Sequence, residues 1–120
     1  AAECAAGAPL AAALAAGSPT AVDYRPTFVD GIGSRSVFPQ MLERARAVIQ
    51  ESLVSTVEEI GAAVRLLAER NRVIAEGAGA ASVAAALAGR AGRGKVVCVV
   101  SGGNIDSDVL ARLLAASPAA

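Results

Sequence analysis

A hydroxyl, an amide and a carboxylate lie close together in residues 101–106, directly after an apolar run at residues 96–100. The β-branched run predicts a buried strand of a parallel sheet. Two glycines in the polar segment let the backbone turn sharply or approach a ligand closely. Because ligands of open α/β sheets bind at the carboxyl ends of the strands, the pattern predicts a ligand site there. An ordinary turn, with Asp106 or Ser107 capping the next helix, is the alternative.

A second candidate site is the glycine-rich segment at residues 76–82, which follows a short predicted strand at 73–75 and begins a predicted helix. This is the setting of a dinucleotide-binding turn. However, Ser82 stands where the third glycine or alanine belongs, and Ser101 lacks the carboxylate that would hold a ribose. Close packing of the helix through small residues also explains the glycines. Glu76 remains a candidate, because a carboxylate at the end of a strand is well placed for a ligand.

Asp30 and Gly31 lie in an irregular connection at residues 18–36, and connections of this length are often functional. The glycines let the main chain lie flat against a planar group, although a surface turn capped by Asp30 has the same pattern. Lys95 is the only lysine. It precedes the predicted last strand, so we expect it in solvent, roughly 20 Å from Ser101 at about 3.3 Å per strand residue. We do not expect it to form a Schiff base.

The composition excludes several classes of function. The formal net charge is zero, so no basic field exists to bind nucleic acid. Aromatic residues make up 2% of the chain and hydrophobic residues 54%, which predicts a core of small aliphatic side chains and no base-stacking surface. The chain has no histidine and its acids lack metal-ligand spacing, so we expect neither a histidine triad nor a metal site. No apolar run is long enough to cross a bilayer, which predicts no membrane partner.

The two cysteines indicate in which cellular compartment we expect the protein. Cys4 and Cys98 lie far apart and belong to no C-x-x-C pair, so we expect both to be reduced and buried in a cytoplasmic protein. At 120 residues the chain forms at most one domain. Because it starts without a methionine, we expect a piece of a larger protein.

Helical and strand patterns alternate along the chain. Thr56 and Glu59 match a capping box, and the helix after them carries apolar residues at helical spacing. Strands that alternate with helices predict an α/β fold, a small parallel sheet with helices on both faces. The predicted strands lie at residues 1–3, 53–55, 73–75 and 95–100, and the predicted helices at 7–16, 38–50, 56–71, 80–88 and 109–114.

Three segments, in this order, resemble the C-terminal part of the threonine/serine dehydratase family. They are Thr-Phe-Val-Asp-Gly-Ile at 27–32, Val-Ile-Ala-Glu-Gly-Ala-Gly-Ala-Ala at 73–81 and Val-Val-Ser-Gly-Gly-Asn-Ile-Asp at 99–106. These dehydratases are fold-type II pyridoxal-phosphate enzymes and relatives of serine racemase. Glu3 and the Gly-Ala-Pro after it also look like a segment of the family. The resemblance implies that residues 1–120 form the C-terminal segment of the large domain of such an enzyme.

The resemblance implies roles for five residues. Ser101, with Gly102 beside it, matches the serine that hydrogen-bonds the pyridine nitrogen of pyridoxal 5'-phosphate, where a neutral hydroxyl leaves that nitrogen largely unprotonated. Gly31 matches the glycine packed on the cofactor ring. Glu76 matches the glutamate near the cofactor edge, and Asp30 shapes the loop. The implied activity is that of an ammonia-lyase, which converts L-threonine or L-serine to a 2-oxo acid and ammonia by loss of the α-proton and hydroxide.

Two features of the family have no counterpart in this chain. They are the cofactor lysine in its Ser-x-Lys-x-Arg-Gly segment and the glycine-run loop that cradles the phosphate, both in the N-terminal part of such enzymes. We therefore expect no catalytic residue in this chain and no activity of the chain alone. Some relatives bind a divalent cation near the position of Glu3 with an acid six residues later. Pro9 stands there in this chain, which argues against a metal.

Several alternatives stay open at this point. A serine racemase-like isomerase or a related lyase would share the same residues. A non-catalytic module could hold a nucleotide phosphate at residues 77–82, where a helix begins. The chain could also be a subunit that completes its site with a separate lysine-bearing chain. For the enzyme as a whole, the resemblance implies a homodimer that acts on a small amino acid.

Overall fold

Two short strands, β1 (Ala2–Cys4) and β2 (Leu53–Ser55), form a parallel sheet in the computed structural model, which describes residues 1–116. Cys4 pairs with Ser55, so the carboxyl ends of both strands meet at one edge. The helices lie close to their predicted positions, and the predicted α/β class is confirmed. They are α1 (Pro9–Ala16), α2 (Pro39–Val48), α3 (Val57–Leu66), α4 (Gly77–Leu87) and α5 (Ser107–Ala115).

Two reciprocal hydrogen bonds fix the start of α3. The Glu59 N–H donates to Thr56 Oγ1 at 3.1 Å, and the Thr56 N–H donates to Glu59 Oε2 at 2.8 Å, which completes the predicted capping box. A π-helical turn (Leu67–Asn71) extends α3 and ends at Arg72, whose φ of 59° is left-handed. The core packed around α3 and α4 consists mainly of small residues: Cys4, Ala6, Val29, Ile60, Ala63, Val64, Leu67, Ala75, Ala80, Ala81 and Ala84.

Glu3 joins β1 to the start of α1 and to the residue before β2. The Leu10 and Ala11 N–H groups donate to its two carboxylate oxygens, each at 2.8 Å, and the Ser52 hydroxyl donates to it at 2.6 Å. Ala8, at the N-cap of α1, has no side chain that could accept these bonds. Glu3 therefore satisfies amides that the first turn leaves free, and its negative charge suits the positive end of the helix dipole.

The strands predicted at residues 73–75 and 95–100 are wrong. Neither segment forms a ladder, and one main-chain bond near their ends, from Glu76 N–H to Gly102 O at 3.0 Å, joins the two regions. Val97 is 90% exposed and Val99 is 71% exposed, although the pattern predicted burial. The β-branched run marks side chains suited to a sheet, but a strand also needs a neighbour to pair with. Within residues 1–116 nothing provides one.

Residues 98 and 99 are attached to α4 by two hydrogen bonds. The Ser82 hydroxyl donates to Val99 O at 3.0 Å, and the Cys98 thiol donates to Ser82 O at 3.5 Å. Cys98 is only half-buried, which corrects the expectation that both cysteines are buried, whereas Cys4 is buried as expected. Both are free thiols. In the part of the chain that the structure describes, no helix is long and apolar enough to cross a membrane.

An ion pair between Arg90 and Glu59 makes stability depend on pH. Hydrogen bonding from the Arg90 side chain, at 2.7 and 3.0 Å, and from the Thr56 amide lowers the pKa of Glu59. A lowered folded-state pKa adds stability above the ordinary pKa of glutamate, and that stability is lost as the pH falls through the lowered value. We expect Glu59→Gln to be less stable at neutral pH and to lose less stability on acidification. Urea unfolding between pH 7 and 3 measures both effects.

Glu58→Gln is the matched control, since Glu58 is an exposed neighbour outside the capping box. Its unfolding free energy should follow the wild-type pH dependence. Equal acid slopes for Glu59→Gln and the wild type would contradict the role assigned to the ion pair.

Candidate functional site

The loop at residues 27–32 covers the first turn of α4. A Cβ built on Gly77 would lie 2.9 Å from Val29 Cα and 3.1 Å from Phe28 Cε2, so only a glycine lets the loop approach this closely. Val29 is 2% exposed, and its N–H donates to Thr27 Oγ1 at 3.1 Å. Burial of Val29 and Phe28 against α4 therefore fixes where the next two residues lie.

Gly31 lies against α4 just beyond this contact. A Cβ built on it would lie 2.8 Å from Ala78 Cβ and 3.5 Å from Glu76 Oε1. Packing within the chain therefore already requires a glycine here, in addition to any ring that would lie on its other side. Asp30, beside it, is exposed.

The segment at residues 101–103 packs on the same turn of α4. A Cβ on Gly79 would lie 2.7 Å from Gly102 O and 3.4 Å from Ser101 N, and a Cβ on Gly102 would collide with the Glu76 carboxylate. The Glu76 main-chain bond to Gly102 O reinforces this contact. Missing Cβ atoms thus let a turn without regular secondary structure lie directly against the helix.

The residues singled out from the sequence come together around Glu76. A Cβ built on Gly31 would lie 3.5 Å from Glu76 Oε1, a Cβ on Gly102 would collide with the same carboxylate, and Ser101 is next to Gly102. Glu76 is half-buried, while Ser101 and Asp30 are exposed. In the described residues the Ser101 hydroxyl makes no intramolecular hydrogen bond. The segments that carry the Ser101 hydroxyl, the Glu76 carboxylate and the bare backbone of Gly31 therefore meet at the first turn of α4.

This donor set suits a planar heteroaromatic ligand better than a phosphate. A hydroxyl can hydrogen-bond a ring nitrogen, and bare backbone accommodates a flat ring. By contrast, residues 28–29 and 101–102 lie directly against the first turn of α4, which leaves little room for a nucleotide phosphate at the helix start. This geometry speaks against the nucleotide-binding alternative.

Other candidate groups lie apart from this surface. Lys95 is exposed and follows Gly94, whose φ of 112° marks a left-handed turn. Among residues 1–116, no three His, Cys, Asp or Glu side chains cluster as metal ligands would. On its other side, Phe28 lines an apolar cavity of about 400 Å³ between α3 and α5, together with Gly61 and Leu113.

Sequence reasoning missed two features of the site. It did not find that Phe28 and Val29 anchor the loop, although an apolar pair directly before Asp30 was a usable signal. It also explained the glycines of α4 by close packing of the helix, without finding that Gly79 packs on residues 101–102. No local pattern shows which backbone segment a glycine approaches.

The contact at Gly79 predicts a large effect of one methyl group. The obstruction is backbone, which cannot rotate away, so we expect Gly79→Ala to destabilise the chain by about 1–3 kcal/mol through overpacking. It should also raise amide exchange at residues 101–104. Gly61→Ala in α3 is the matched control, because the one tight contact of its Cβ would be with the end of the Leu113 side chain, at 3.0 Å, while Phe28 would lie at an ordinary 3.7 Å. An equal loss of unfolding free energy in Gly79→Ala and Gly61→Ala would contradict this account.

Comparisons with known proteins identify the family of this chain. The sequence profile of a family described as pyridoxal-phosphate dependent enzyme matches residues 1–102. An L-threonine ammonia-lyase of Thermotoga maritima is 38% identical over 104 residues, which are 86% of this chain and 26% of that protein. One from Geobacter sulfurreducens is 40% identical over 82 residues, 67% of this chain and 20% of that protein.

Solved structures show the same relationship. Maize serine racemase superposes with a TM-score of 0.79 at 25% identity, over 92% of this chain and 37% of that one. The T.th. threonine deaminase superposes with a TM-score of 0.76 at 28% identity, over 85% of this chain and 38% of that one. The chain thus spans about a fifth to two fifths of the length of these relatives. By its profile and its fold, the chain belongs to the fold-type II pyridoxal-phosphate dependent enzymes.

Proposed function

We propose that this chain forms the cofactor-ring side of a pyridoxal-phosphate dependent ammonia-lyase that deaminates L-threonine or L-serine. The observation that carries the proposal is the meeting of Gly31, Glu76 and the Ser101–Gly102 segment at the first turn of α4. The relatives with the highest identity reported above are named as threonine ammonia-lyases, which favours this activity. The substrate class follows from those relatives and from the implied chemistry of the site.

Each residue has a distinct part in this proposal. The cofactor supplies an electron sink for the α-carbon of the substrate when it is bound. The Ser101 hydroxyl would hydrogen-bond the pyridine nitrogen without bringing a negative charge to it. The backbone at Gly31 would lie on the ring, and Glu76 would place a carboxylate at its edge. Asp30 would shape the loop, and Gly102 lets the Glu76 carboxylate lie directly against the segment that carries Ser101.

The proposal requires a second part that supplies the cofactor lysine and the phosphate-binding loop. The exposed apolar residues at 73–74 and 96–99 favour such a part, because contiguous exposed apolar surface marks an interface. They belong to segments with few main-chain partners in the described residues, and an added strand could pair with them. We propose that the lysine-bearing part docks here, either in the same polypeptide or in a separate chain.

A chimera tests the function directly. The region of the Thermotoga maritima L-threonine ammonia-lyase that matches this chain is replaced by this chain, and the purified protein is assayed for 2-oxo acid release from L-threonine and L-serine. We expect bound pyridoxal 5'-phosphate, seen by visible absorbance, and turnover. Ser101→Ala should lower kcat/KM by roughly 10- to 100-fold, because an interaction with the cofactor ring is lost.

Ser18→Ala is the control for that chimera, since Ser18 is exposed beyond the end of α1. It should retain wild-type kcat/KM. A folded chimera that binds no cofactor, or one in which Ser101→Ala is as active as the parent, would refute the proposed role.

The docking surface has its own test in Val97→Lys. In the chain alone Val97 is 90% exposed, so the substitution should change the free energy of unfolding by less than about 0.5 kcal/mol. In the chimera the same lysine would be buried without a partner, at a cost of about 3–5 kcal/mol. Denaturant unfolding of both proteins measures the contrast. Similar effects in the two contexts would show that nothing covers this face.

Serine racemase is the second candidate function, because the maize enzyme superposes with a TM-score as high as 0.79. The two activities differ in the fate of the substrate after loss of its α-proton. Chiral analysis of serine after incubation with the chimera separates them: D-serine indicates racemisation, and pyruvate indicates deamination.

A further inference from the structure

We infer that Tyr24 is a positioning residue that holds the Asp30–Gly31 turn in place for the cofactor ring. The expected effect on cofactor binding rests on the proposed function. The contacts of Tyr24 that hold the turn are observed in this chain and do not depend on that function. Neither the resemblance nor the pattern of the sequence singles out Tyr24.

The Tyr24 ring is wedged between two glycines from different segments. A Cβ on Gly7 would lie 2.6 Å from Tyr24 Cδ2, and a Cβ on Gly33 would lie 3.1 Å from Tyr24 Cε2. The Cβ on Gly33 would also lie 3.4 Å from Gly7 O, so three segments meet at this ring. Gly33 has a φ of 100°, which L side chains rarely adopt. A side chain at either glycine would therefore crowd the Tyr24 ring.

Backbone hydrogen bonds hold the tyrosine itself. The Arg25 N–H donates to Ala6 O at 2.8 Å, and the Val22 N–H donates to Arg35 O at 2.8 Å. The first bond ties Tyr24 to the segment that follows β1. The second closes the loop on itself, so the ring stands at the stem of a loop that runs from 24 to 33.

The tip of this loop has little packing of its own. Its outgoing side is anchored by Phe28 and Val29 on α4, but Asp30, Gly31 and Gly33 are exposed. The returning side is held where Gly33 meets Tyr24, where Ile32 packs against the core, and where Arg35 O accepts from the Val22 N–H. Gly31 therefore lies between an anchor at α4 and these contacts. Loss of the ring would empty the space between Gly7 and Gly33, so the returning side would rest on Ile32 and the Val22–Arg35 bond.

The ring, and not the hydroxyl, carries this role. Within residues 1–116 the Tyr24 hydroxyl makes no hydrogen bond, and the contacts above are made by ring carbons. Tyr24→Phe is thus the conservative variant, which keeps the wedge, and Tyr24→Ala removes it.

Hydrogen exchange of the chain alone gives the first test. We expect Tyr24→Ala to speed amide exchange at residues 30–35 by at least about tenfold, with α3 unchanged, since only the local opening becomes easier. Tyr24→Phe should exchange as the wild type does. Exchange that is unchanged in Tyr24→Ala, or that rises equally in α3, would overturn the positioning role. Should Tyr24→Ala not fold, Tyr24→Leu, which keeps part of the bulk, takes its place under the same criteria.

Cofactor affinity of the chimera gives the second test. We expect the dissociation constant for pyridoxal 5'-phosphate to rise about tenfold in Tyr24→Ala and to stay within about twofold in Tyr24→Phe, because only the former costs ordering of the loop on binding. Equal affinities of Tyr24→Ala and the parent would overturn the inference. If the parent chimera binds no cofactor, the proposed function fails, and the exchange experiment alone still decides whether Tyr24 positions the loop.

Discussion

Steric contact with the first turn of α4 is the constraint on which the site depends. Two segments without regular secondary structure, residues 27–32 and 101–103, come within 3 Å of where a Cβ on a helical glycine would lie. Such an approach is possible only where the side chain is absent, and it brings many backbone atoms into van der Waals contact at once. Gly77 and Gly79 therefore place the site as much as the polar residues do.

The helix that receives these contacts is itself held at both ends. At its start it packs on Val29, and along its length its alanines pack on α3 and on the two-stranded sheet. Beyond its end, Arg90 reaches Glu59 in the capping box of α3. Small side chains let these layers approach closely, which compensates for a core with few large residues. The rigid part of the chain is thus α3, α4 and the sheet, and the site lies where loops meet that part.

Features that depend on nearby residues were predictable, and features that depend on distant ones were not. The capping box and the apolar face of α3 follow from residues three and four apart, so periodicity was enough to find them. The strand at 95–100 was predicted from side-chain type alone, and no strand among residues 1–116 pairs with it. Ser101, Glu76 and Gly31 were singled out from polar and glycine residues at predicted strand ends and in a long loop, and a resemblance of motifs supplied their expected roles. The wedge at Tyr24 was not found, because a contact between residues 7, 24 and 33 leaves no local pattern.

The unpaired run at 96–100 and the candidate site depend on each other, because the run leads directly into Ser101. Ser101 directly follows the run, so its position is fixed from the α4 side, through Gly79 and the bond between Glu76 and Gly102. The opposite side of the run carries Val97 and Val99, which are exposed to solvent. A strand paired along that side would hold the hydroxyl of Ser101 from both directions and remove the apolar surface from water. Docking of a strand that buries these valines would therefore also fix the position of the Ser101 hydroxyl. Completion of the sheet and the geometry of the candidate site are coupled in this way.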